Sequence, residues 1–182
     1  MIRIEIGPGQ VPWDFAGGLV PKLFDPLGEL LGAVYADAEI PIREWEAARI
    51  RIAQINGCAL CLAFRTPRDG PAREDRSEEL PEAFYADVEH WRESDRFTER
   101  ERLSIEFAER WATDHRSFEH DEELWERLHA NFTDRELVEL ALCVGACMLG
   151  GRFAHVFGLD VCDISAATRP SAVDGSREAA TV

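Results

Sequence analysis

Twice in this chain the same short device marks the start of a helix, and it constrains the fold more than any other feature. Phe97-Thr98-Glu99-Arg100-Glu101 and Phe132-Thr133-Asp134-Arg135-Glu136 each set a Thr three residues before a Glu. In that pattern the Thr hydroxyl accepts from the Glu amide and the Glu carboxylate accepts from the Thr amide, so two otherwise orphaned N–H groups at a helix start are satisfied. The first box opens a helix with Leu103, Phe107 and Trp111 on one stripe. The second opens a helix through Leu137, Leu140, Ala141, Val144 and Met148. The flanking sequences differ, so the boxes are reused capping chemistry and not an internal repeat.

Helical spacing extends over most of the remaining chain. Residues 26–35 read as a helix, and Pro41 starts another on which Trp45, Ala48, Ile52 and Ile55 recur, with Arg43, Glu44 and Arg51 largely on other faces. Asn56-Gly57 is a turn signal that interrupts this helix. Residues 58–65 resume as a short helix, ended by the residues around Pro67 and Gly70. A polar loop is expected at 71–79, a helix at 81–91, and a helical stretch carrying Leu124, Trp125 and Leu128 at 121–131. Only Ile2, Ile4 and Ile6 alternate in period two, and the prolines and glycines between Ile6 and Pro26 predict a wrapping segment without a long helix. The fold class is therefore all-α: an extended N-terminal arm at 1–20, one helical domain at 21–164, and a disordered tail at 165–182. The last helix is apolar on nearly every side over 140–149, which places it at the centre of the core or at a subunit interface.

The 182 residues carry 20 basic and 35 acidic side chains, a formal charge of −15. Such a balance argues against nucleic acid and against an anionic membrane surface, since both draw affinity from Lys and Arg. The longest apolar stretch, 140–151, falls short of the ~20 residues of a spanning helix. The N-terminus has no apolar run of the secretory kind, so a cytoplasmic location is expected. In that compartment five cysteines point to redox chemistry, metal binding or simple burial more than to a disulfide framework.

The chemistry concentrates in residues 46–65, EAARIRIAQINGCALCLAFR. Two thiols three apart, Cys58 and Cys61, at the start of a helix can close a disulfide, and positive potential there favours a thiolate. Glu46 precedes Cys58 by twelve residues, a rise of ~18 Å on a straight helix. Only if Asn56-Gly57 folds the second helix back beside the first does a Glu–Cys–Cys constellation form. The residues alone leave rivals open. The CxxC can be two packed thiols, or half of a zinc site with His115 and His120, although the gap between these pairs exceeds that of a zinc finger. Cys143 and Cys147 lie four apart on the most apolar helix and read as core; Cys162 has no visible partner. His90 and His129 read as structural. His155 is within reach of the site from another helix and is otherwise a surface residue. The acidic run at 119–123 reads as a solvated helix start.

The string Glu46–(eleven residues)–Cys58-x-x-Cys61, carrying Gln54-Ile55-Asn56-Gly57-Cys58, resembles the alkylhydroperoxidase AhpD-like branch of the carboxymuconolactone decarboxylase family. The helices around FTERERLSIEFAERW and FTDRELVELAL, and the segment Gly151-Arg152-Phe153-Ala154, extend the resemblance over about residues 20–160. It implies an all-helical, homo-oligomeric protein (dimer, trimer or hexamer) that reduces a peroxide or disulfide without a bound cofactor or metal. A lipoyl-bearing or thioredoxin-like protein would be the electron donor. It further implies Cys61 as the attacking thiol, Cys58 as its resolving partner and Glu46 as the acid/base of a proton relay. Two positions depart from the pattern: Leu60 and Arg65 stand where relatives carry His. Arginine stays charged and cannot hand on a proton, though one turn beyond Cys61 it can favour a thiolate. A truncated relay with weak turnover is the resulting expectation, with an Arg65→His gain as its sign. The resemblance also admits lactone decarboxylation, which does not need the thiol pair, and a non-catalytic helical oligomer with a degenerate site.

Overall fold

A computed structural model describes residues 2–7, 9–74 and 78–160. Nine α-helices follow one another among the described residues: α1 (Pro12–Leu19), α2 (Pro21–Ala36), α3 (Ile42–Asn56), α4 (Ala59–Ala63), α5 (Thr66–Asp69), α6 (Glu82–Asp87), α7 (Glu99–Thr113), α8 (Glu122–Asn131) and α9 (Asp134–Phe157). Short 3₁₀ turns at Val88–His90 and His115–His120 supplement them, and no strand occurs among the described residues. The all-α expectation holds. Residues 165–182, expected as a tail, lie outside the described residues, as does Cys162.

Both capping boxes form as the sequence predicts, with Thr98 and Glu101 opening α7 and Thr133 and Glu136 opening α9. A cap of this kind contributes about 1 kcal/mol. The N-terminal quarter differs from expectation. Pro12 and Pro21 do not break helices there but begin them, because proline in the first turn gives up an amide that has no partner anyway. As a result α1 stands where an irregular segment was expected, and α2 starts at Pro21 and runs through Pro26. Gly17 lets these two helices close up, since a Cβ there would lie 2.7 Å from the Phe24 ring. Residues 2–6 lie outside any helix, with a bend at Ile4. The Arg3 amide donates to the Phe157 carbonyl at 3.0 Å, and Ile4 and Ile6 pack at the end of α9.

The centre of the molecule is α3, and α9 packs into the main core beside it. One face of α3 (Ile42, Trp45, Ala48, Ile52) joins the main apolar cluster with Leu103, Phe107, Leu128, Leu140 and Val144. The opposite face (Ala47, Ile50) joins a second cluster with Phe84, Val88 and Ile105. The last helix is long and apolar enough to cross a membrane by length and composition, with 44% of its apolar window buried inside the protein. It presents Leu140, Val144, Gly151 and Ala154 inward, while Val138, Leu142, Leu149 and Val156 remain exposed.

Candidate active site

Two glycine corners build the site. At the end of α3, Gly57 takes a left-handed backbone (φ 66°) that side-chain-bearing residues resist. Its amide donates to the Gln54 carbonyl at 3.1 Å and the Cys58 amide to the Ala53 carbonyl at 3.2 Å, a Schellman closure that turns the chain back. At the end of α9, Gly158 (φ 69°) repeats the device: the Gly158 amide donates to His155 and the Leu159 amide to Ala154. The first corner delivers the two cysteines, and the second delivers Asp160.

Cys58 and Cys61 are joined as a disulfide. They differ in access. Cys58 has no exposed surface and lies in an apolar cluster with Ala16, Ala154 and Leu159, whereas Cys61 is half-buried. The N-terminal segment closes over this end through the edge-to-face set of Trp13, Phe24 and Phe153, with ring centroids 4.8–5.8 Å apart. The Cys61 amide donates to the Cys58 sulfur at 3.2 Å. On the facing helix, a Cβ at Gly151 would sit 3.5 Å from the Cys61 sulfur and 2.7 Å from the Asn56 amide nitrogen, so glycine keeps this contact open. Asn56 in turn accepts from Arg152 Nε at 2.9 Å.

Glu46 is fully buried on α3, and its partner is Arg49. Arg49 Nε and Nη2 donate to its two oxygens at 2.6 and 2.9 Å. The same guanidinium donates to the Cys61 carbonyl at 2.7 Å and the Phe64 carbonyl at 2.8 Å. Glu46 thus reaches the CxxC segment through the arginine, and what it reaches is the Cys61 backbone. Thr66 and Tyr85 add hydrogen bonds to the carboxylate, and Trp45 donates to Thr66 at 3.1 Å. Burial by itself pushes this carboxyl up, but the Arg49 charge and the hydrogen bonds outweigh it and hold the carboxyl below its ordinary value. Through Arg49, Glu46 helps hold the carbonyls of Cys61 and Phe64 in place.

Arg65 also departs from expectation. Helix α4 ends at Ala63, so residue 65 no longer lies one helical turn above Cys61 on its face. Its guanidinium pairs with Glu82 at 2.7 Å, lies 4.0 Å over the Tyr85 ring, and donates to the Leu62 and Phe64 carbonyls. The charge that was to favour a thiolate is spent on Glu82. Arg65→His is accordingly expected to leave peroxide consumption within about twofold of the parent, since the partners of this guanidinium are Glu82, the Tyr85 ring and the Leu62 and Phe64 carbonyls. A gain of tenfold or more would return this position to the site.

Among the described residues the other cysteines, Cys143 and Cys147, are free thiols. Cys143 is buried in the main cluster. Cys147 accepts a hydrogen bond from Tyr35, and burial pushes its thiol up to about 11, the mark of an unreactive sulfur. His115 and His120 lie on the turn before α8. Among the described residues no group of three or more His, Cys, Asp or Glu is placed to hold a metal. Sequence reasoning missed Arg49 and Asp160; His155, which it placed within reach of the site from another helix, does lie there. A Cβ at Gly57 would lie 3.3 Å from the His155 ring, and His155 Nδ1 is 3.2 Å from Asp160 Oδ2. That same oxygen accepts from the Ala59 amide at 3.0 Å.

The fold and the site define an all-α protein with a redox-capable thiol pair at a helix corner. No protein-family model matches the chain, and no curated protein matches it. Among solved structures the chain is similar to that of a protein of unknown function from Agrobacterium tumefaciens, provisionally assigned as the antioxidant defence protein AhpD. The two share 25% identity at a TM-score of 0.67, over 87% of this chain and 96% of that one. The fold is AhpD-like.

Proposed function

We propose that the protein is a thiol-dependent oxidoreductase that reduces a hydroperoxide at Cys61. The observation that supports this reading is the asymmetry of the pair: Cys61 is partly exposed, and it is bonded to Cys58, which has no exposed surface. In the reduced protein the Cys61 thiolate attacks the outer peroxide oxygen. The O–O bond breaks, the alcohol leaves after taking up a proton, and Cys61 becomes a sulfenic acid. Cys58 then displaces water from that sulfur and closes the disulfide. An external dithiol, of the lipoyl or thioredoxin type, reopens it by attacking the accessible Cys61 sulfur, so that Cys58 departs as a thiolate beside the Cys61 amide. The similarity to a provisional antioxidant defence protein supports the same class of chemistry.

A thiol count tests this directly. Fully reduced protein given one equivalent of hydroperoxide is expected to lose two reactive thiols and to regain both with a dithiol. Thiols that stay unchanged through that addition overturn the proposal.

A further inference from the structure

The sulfurs are not the only chemistry at this corner. Cys58 is bracketed along the chain by two residues that the end of α9 engages: Gly57, under the His155 ring, and Ala59, whose amide donates to Asp160. Asp160 is buried, 6% exposed, and its Oδ2 is shared between the Ala59 amide and His155 Nδ1. His155 is half-exposed, with 53% of its side chain open to solvent. Among the described residues its ion-pair partner is Asp160. The other charged group one turn earlier on α9, Arg152, turns toward Asn56 and the Ala112 carbonyl.

Building on the thiol reading above, we infer that His155 and Asp160 are positioning residues that set the reduction potential of the Cys58–Cys61 pair. Opening the disulfide takes two electrons from the external dithiol, which is itself oxidised to a disulfide. The step releases Cys58, which has no exposed surface of its own, as an anion. A buried carboxylate one peptide away raises the energy of that anion, because a low-dielectric surrounding leaves like charges poorly screened. The Nδ1–H of His155, directed at Asp160 Oδ2, draws the carboxylate's charge away from the sulfur, and the Ala59 amide does the same from the chain side. The pair therefore holds the anion's energy at an intermediate value: Asp160 lowers the potential and His155 restores part of it. α9 brings His155 against Gly57, the residue before Cys58.

The test is the equilibrium of the intact protein with dithiol/disulfide buffers at mildly alkaline pH, where thiolate is populated. Asp160→Asn keeps an acceptor for the Ala59 amide and removes the charge. It is expected to shift the exchange constant toward the reduced protein by about tenfold, about 30 mV for a two-electron couple. His155→Leu leaves the carboxylate less compensated and is expected to shift the constant the opposite way. Opposite signs are the signature, because damage to the corner would move both variants together. If the parent cycles with dithiol but both variants stay within twofold of it, or shift in the same direction, this inference falls and the thiol reading stands. If the parent pair does not cycle at all, the thiol reading fails and takes this inference with it.

Discussion

Replacing Cys61 by Ser is expected to abolish hydroperoxide reduction, lowering turnover on the order of 10³-fold or more, as removal of an attacking nucleophile does. Replacing Cys58 by Ser is expected to give a different failure. Turnover stops as well, but one equivalent of peroxide is still consumed, because Cys61, which is only partly buried, remains able to attack. The product then halts at the sulfenic acid, which a 1,3-dione traps and mass spectrometry reads as a single adduct on Cys61. The physical basis is access: a thiolate must meet the peroxide oxygen in line, and Cys58 has no exposed surface from which to do so. Single-turnover consumption that survives in Cys61→Ser and is lost in Cys58→Ser would reverse the assignment.

The parts of this site that were readable in the sequence are those fixed by local rules. The capping boxes placed the starts of α7 and α9, and Asn56-Gly57 placed the corner, because a left-handed residue after a helix is a backbone requirement that glycine announces. The parts that were not readable depend on partners distant in the chain. Arg49 carries no local signature, and its role appears only where Glu46 and the carbonyls of Cys61 and Phe64 surround it. Arg65 reads as a neighbour of Cys61 only if α4 continues past Ala63, and Glu82 and Tyr85, which hold it elsewhere, lie 17 and 20 residues on. In the N-terminal quarter the prolines were informative but were given the wrong sign, as breakers and not first-turn residues. Gly158 turns the chain by the same left-handed backbone, without an Asn-Gly pair to mark it. What it delivers, Asp160 against the Ala59 amide, is a contact across 101 residues that no local pattern encodes.

The buried ion pair yields the prediction with the largest effect on stability. Arg49→Leu is expected to cost about 3–5 kcal/mol, since removing one partner leaves an uncompensated charge in the interior. Glu46 has no exposed surface and Arg49 only 2%, so solvent cannot screen the loss, and the carbonyls of Cys61 and Phe64 lose their donor as well. The pH dependence separates this cause from simple loss of packing. In the parent, Glu46 is held below its ordinary value of 4.5, so the pair's contribution is fully present above that value and is lost as pH falls through the lower folded one. In the variant the sign reverses: with Arg49 gone, burial favours the protonated carboxyl, and acid relieves the stranded charge. Urea unfolding across a pH series should therefore show the gap between parent and variant narrowing as pH drops below the neutral range. Because both proteins carry the same remaining acidic surface, general acid destabilisation cancels in that difference. A gap that stays constant or widens on acidification would mean that the Glu46 charge is not what Arg49 stabilises, and that its hold on the cysteine segment comes from the two carbonyls alone.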